Sequence, residues 1–73
     1  MTRMAGMGLK PGDSVLDIGC GDGKITAQLA QRVYPGRVYG IDASSAMVEL
    51  AQTRFQISRH ANLSFAVMDA GKN

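Results

Sequence analysis

The stretch Ser14-Val15-Leu16-Asp17-Ile18-Gly19-Cys20-Gly21-Asp22-Gly23-Lys24 decides the fold of this chain. Its first five residues are mostly apolar and β-branched, follow the turn signal Pro11-Gly12-Asp13, and read as a short buried strand. Three glycines then alternate with Cys20 and Asp22, a composition that lets the backbone turn sharply. Beyond the turn, Ile25, Leu29 and Val33 recur every four residues, the spacing of one helical face. A helix is therefore expected from about Asp22 to Tyr34, stopped by Pro35-Gly36.

The same pattern repeats downstream. Arg37-Val38-Tyr39-Gly40-Ile41-Asp42 supplies a second strand that ends, like the first, on an aspartate. Ser44 or Ser45 is a good N-cap for a second helix, whose apolar stripe is expected at Met47, Leu50, Ala51 and Phe55. Arg54 and Arg59 lie toward its favourable C-terminal end. Leu63-Ser64-Phe65-Ala66-Val67 reads as a third strand, closed by Met68-Asp69-Ala70. The order βαβαβ, with helical crossovers of this length, requires parallel pairing through right-handed connections. The fold class is α/β: half of a doubly wound parallel sheet, ending before a fourth strand. Residues 1–10 are expected as a flexible N-terminal segment, in spite of methionines at 1, 4 and 7, and residues 11–73 as a partial domain.

Composition limits the function classes. A 73-residue chain that is 45% hydrophobic and 19% charged, with 9 glycines, should bury a core. Its size allows a stability of only about 3–5 kcal/mol. The net charge of +2 comes from eight basic residues spread from Arg3 to Lys72 without a run of neighbours, so nothing signals nucleic acid. No apolar run approaches the ~18 residues of a membrane span, and the single Cys20 fits a reducing setting; a soluble, cytoplasmic chain is expected. His60 has no cysteine or acidic neighbours to form a metal site.

Three strand ends carry the chemistry. Ligands in open α/β sheets bind beyond the carboxyl ends of strands, and glycines at 19 and 21 would let a ligand rest on the main chain. The spacing G-x-G-x-x-G of dinucleotide folds is not met, because Lys24 stands where its third glycine belongs; a G-x-x-x-x-G-K-S/T phosphate loop fails as well. Asp42, 19 residues beyond Gly23, could accept hydrogen bonds from both hydroxyls of a ribose, which points to a nucleoside, although Ile41-Asp42-Ala43-Ser44 is also a helix-start signal. Asp69 and Ala70 set a carboxylate beside a backbone N–H, which suits the edge of adenine.

With Val15 to Gly23, Gly40-Ile41-Asp42-Ala43-Ser44 with Met47, and Phe65 to Ala70 in this order, the chain resembles the class I S-adenosylmethionine-dependent methyltransferases, in particular the small-molecule branch that includes trans-aconitate methyltransferase-like proteins. The resemblance covers about residues 9–70 and implies a Rossmann-like fold with S-adenosyl-L-methionine as cofactor. It implies that Asp17, Gly19 and Gly21 bind the methionine part, with Cys20 of the same turn also among the cofactor-binding residues; that Asp42 binds the ribose; that Ala43 and Met47 cover the adenine face; and that Asp69 with Ala70 meets the adenine edge. The acceptor would be a small molecule, and no catalytic base can be named. The family continues with a fourth strand that pairs with the first, so Val15 to Ile18 is expected to present an unpaired edge through which the chain could self-associate. Two other readings are open: a non-catalytic cofactor-binding or interaction fragment, and a nicotinamide-dinucleotide-binding oxidoreductase fragment.

Overall fold

The computed structural model describes residues 2–4 and 8–68. Its elements are β1 (Thr2–Met4), β2 (Ser14–Ile18), α1 (Lys24–Val33), β3 (Arg37–Asp42), α2 (Ser45–Arg54) and β4 (Leu63–Val67). They form one sheet in the order β1-β2-β3-β4, with every neighbouring pair parallel. The three expected strands fall where the apolar runs place them.

Side chains of one sheet face stand in rows across the strands. Val15, Val38 and Leu63 are in register, and each is at most 2% exposed. The next row holds Asp17, Gly40 and Phe65, and Asp42 and Val67 follow at the carboxyl end. Both helices pack on this face, so Ala27, Ala30 and Val33 of α1 and Val48 and Ala51 of α2 join one cluster with Val15, Val38, Leu63 and Phe65. The opposite face carries Leu16, Ile18, Tyr39, Ile41 and Ala66, and no helix of the described residues covers it.

The helices meet the sheet only in part through the expected residues: Val33 and Ala51 are buried and Leu29 and Phe55 pack against the core, whereas Ile25 and Leu50 do not. Of the Ile25–Leu29–Val33 stripe, Val33 is buried and Leu29 packs against the core cluster, but Ile25 is 60% exposed, and Thr26, Ala27 and Ala30 are buried beside Val33. In α2 the buried pair is Val48 and Ala51, while Leu50 is 42% exposed. Small side chains let the helix axes lie close to the strands, and the larger ones turn to the flanks. Helix α1 also starts later than expected, because Gly23 sits at its N-cap in a left-handed conformation. In α2, Ser44 is the N-cap and its Oγ accepts from Met47 N–H at 3.3 Å.

The N-terminal expectations need correction. Thr2–Met4, placed within a flexible segment by the sequence, forms β1 and pairs with Ser14–Leu16. The edge expected to be unpaired at Val15 to Ile18 is thus occupied as far as Leu16. Three residues are too few to show an alternating pattern, whereas the row of open N–H and C=O groups along β2 favours any strand that can dock there.

Candidate functional site

The glycine turn joins the carboxyl end of β2 to α1 and is fastened on all sides. Gly19 N–H and Cys20 N–H both donate to Ile41 C=O, at 2.8 and 2.9 Å, and Gly23 N–H donates to Cys20 C=O at 3.0 Å. Gly21 N–H donates to Asp42 Oδ2 at 2.9 Å, and Lys24 N–H to Asp22 Oδ1 at 3.2 Å. These amides are committed within the chain, so the turn does not offer the converging N–H groups that hold a pyrophosphate.

Two glycines of the turn have different reasons to be glycine. Gly21 has φ +56°, and a Cβ placed on it would meet nothing within 4 Å, as is also true of Gly19. Their bare sides face open space in which a ligand can approach main chain. Gly23, at φ +85°, is crowded: a Cβ there would lie 2.7 Å from Phe65 Cζ and 3.1 Å from Ala51 Cβ. The Phe65 ring also lies against Gly40, where a Cβ would come within 2.9 Å of Cδ1. Phe65 thus wedges under the turn, a role that its place in an apolar run gave no sign of.

Asp42, at the end of β3, binds the turn with one oxygen and opens α2 with the other, since Oδ1 accepts from Ser44 N–H at 2.9 Å. The helix-start reading of this residue is met by the Ser44 contact, and its bond to Gly21 N–H is one that the sequence did not indicate. These two N–H groups, Ser44 first, hold its carboxyl below the ordinary 3.8, so it is ionised at neutral pH. A carboxylate offers about four acceptor directions. Two are taken, and two remain for a pair of hydroxyls.

Asp17 faces the helices and accepts from Thr26 Oγ1 at 2.6 Å through Oδ2. Thr26, fully buried in the first turn of α1, was not singled out by the sequence; a polar residue on a buried helix face is the signal that could have found it. Asp22 is tied to α2, as Arg54 Nη1 donates to its Oδ2 at 3.0 Å. With Asp22 paired to Arg54, two carboxylates, Asp17 and Asp42, stand at the glycine turn to suit a ligand carrying positive charge.

The remaining expected residues are placed unevenly. Cys20 turns into the core at 9% exposure, against Gly40. Burial, then the charges of Asp42 and Asp17, push its thiol up to about 11. Ala43, which follows Asp42 in the chain, is exposed, and Met47, whose N–H reaches Ser44 Oγ, is half-buried. Asp69 and Ala70 lie outside the described residues. His60 stacks edge-on against Phe55, with ring centroids 5.6 Å apart, and groups of acidic, histidine and cysteine side chains that could hold a metal are absent among the described residues. No helix among the described residues is long and apolar enough to cross a membrane.

Known proteins resemble this chain in sequence and fold. Residues 15–73 match the family described as methyltransferase domain. A 2-phytyl-1,4-naphtoquinone methyltransferase of Trichormus variabilis is 48% identical over 50 residues, which is 67% of this chain and 22% of that protein. Trans-aconitate 2-methyltransferase of Deinococcus radiodurans is 50% identical over 42 residues, 58% of this chain and 16% of that protein. Among solved structures, the cyclase SpnF superposes with a TM-score of 0.75 at 26% identity, covering 89% of this chain and 24% of its own. The chain thus spans about a fifth of the length of the relatives it matches. The family match over 15–73, on a βαβαβ sheet whose glycine turn and acidic strand ends stand together, shows that the chain belongs to the class I methyltransferase family, of which it carries the βαβαβ portion.

Proposed function

We propose that this chain binds S-adenosyl-L-methionine over the carboxyl ends of β2 and β3 and forms the cofactor-holding part of a cytoplasmic methyltransferase that acts on a small-molecule acceptor. The observation that carries the reading is the Asp42 carboxylate, which fixes Gly21 N–H and still has acceptor capacity for two hydroxyls. The bare sides of Gly19 and Gly21 fit a ligand laid on main chain, and the relatives named for a naphthoquinone and for trans-aconitate support an acceptor that is a small molecule and not a macromolecule. When bound, the cofactor supplies an electrophilic methyl group on a positively charged sulfur. The chain's own part is to bind and orient: Asp42 holds the ribose, Ala43 and Met47 border the adenine, and Asp17 with the glycine turn receives the amino-acid end. Asp69 and Ala70, at the end of the third expected strand, complete the proposed adenine contacts. Methyl transfer depends mainly on such alignment.

A nicotinamide dinucleotide is disfavoured by the committed amides of the turn and by the carboxylates around it. A second reading, cofactor binding without methyl transfer, draws on the structural likeness to a protein named as a cyclase, since one fold can hold several chemistries. Calorimetric titration with S-adenosylhomocysteine beside NAD tests the proposal. Saturable binding of the first alone is expected; tighter binding of NAD refutes it.

A further inference from the structure

Thr26 is the polar member of an otherwise apolar buried helix face, and its exposure is 0%. Its hydroxyl spans the glycine turn to reach Asp17 Oδ2 at 2.6 Å, within the 2.5–2.7 Å range of a hydroxyl bound to a charged oxygen. The bond closes a ring from the end of β2, through Gly19 to Gly23, to the first turn of α1. It also fixes the rotation of the Asp17 side chain. With Oδ2 taken, Oδ1 has no partner among the described residues, and it belongs to a half-buried side chain beside the turn.

We infer that Thr26 is a positioning residue for the amino-acid end of the ligand: by holding Oδ2 it presents Asp17 Oδ1 to the ligand's ammonium group. This rests on the cofactor reading above and adds a residue that would not touch the ligand. A hydroxyl that merely satisfied a buried carboxylate would act on the whole pocket through stability. A positioning hydroxyl acts on one part of the ligand.

Two ligands separate these roles. S-adenosylhomocysteine has the amino-acid end, and methylthioadenosine keeps adenine, ribose and sulfur without it. Calorimetry on the 73-residue chain should show that Thr26→Val weakens S-adenosylhomocysteine about tenfold and leaves methylthioadenosine unchanged, while Thr26→Ser, which keeps the hydroxyl, binds S-adenosylhomocysteine as the parent chain does. If the valine variant is unfolded by circular dichroism, Thr26→Ala carries the same comparison. Equal weakening of the two ligands, no weakening of either, or failure of Thr26→Ser to restore binding overturns the inference while leaving the cofactor reading intact. No binding of either ligand by the unmodified chain overturns the cofactor reading and the inference with it.

Discussion

Replacing Gly23 with alanine should do far more harm than the same change at Gly21, although both are glycines of one turn with positive φ. The left-handed backbone costs a non-glycine residue about 1–2 kcal/mol at either position. At Gly21 little else is added, because the new methyl enters open space. At Gly23 the methyl would sit 2.7 Å from Phe65 Cζ, 2.9 Å from Cε1 and 3.1 Å from Ala51 Cβ. Phe65 is 8% exposed and already pressed against Gly40, so the ring has little room to retreat, and overpacking adds about 1–3 kcal/mol. The total of about 2–5 kcal/mol matches the whole stability open to a chain of this size, roughly 3–5 kcal/mol. Urea denaturation followed by circular dichroism should find Gly21→Ala folded and Gly23→Ala largely unfolded at zero denaturant. Adding Phe65→Leu to Gly23→Ala should remove the clash, so that the pair costs less than the sum of its members by about 1 kcal/mol or more. Equal stability of the two single variants, or strict additivity of the pair, would refute the claim that Phe65 fixes the identity of residue 23.

Three further outcomes are expected. Asp42→Ala should weaken S-adenosylhomocysteine by about tenfold or more in calorimetry, because two hydroxyls and Gly21 N–H lose a charged acceptor together. The pH dependence of stability has a defined sign: the folded chain holds Asp42 below its ordinary 3.8, so its contribution is complete above that value and is lost as pH falls through the lower folded one. In acid titrations monitored by circular dichroism, Asp42→Asn should be less sensitive than the parent chain in that window, and an unchanged acid limb counts against the assignment. Cys20, pushed up to about 11, should react with iodoacetamide at pH 8 about a hundredfold more slowly in the folded chain than in urea; comparable rates would contradict its burial.

Much of this fold can be read from the sequence because its signals are local. Ser14–Ile18, Arg37–Asp42 and Leu63–Val67 begin after Asp13, Gly36 and Asn62, and the structure starts the strands there, with Gly19 closing the first. Helix orientation was less legible. Helical spacing fits Ile25, Leu29 and Val33, four apart, as well as Ala27, Ala30 and Val33, three apart, and only the closeness of the sheet selects the set with the smaller side chains. The pairing of Thr2–Met4 with Ser14–Leu16 depends on a partner strand and not on its own pattern. At the site, residue types at strand ends pointed to Asp17, Gly21 and Asp42, but Thr26 and Phe65 act through contacts across the chain, which spacing does not encode.

The internal fastening of the glycine turn sets the manner in which a ligand would arrive. A loop with loose amides must be ordered by its guest, and the guest then binds in two steps with an entropic penalty. Here Ile41 C=O, Asp42 and Asp22 already hold the amides of residues 19, 20, 21 and 24. Encounter and seating would therefore merge into one kinetic phase, and hydrogen exchange of those amides would be slow before the ligand enters as well as after.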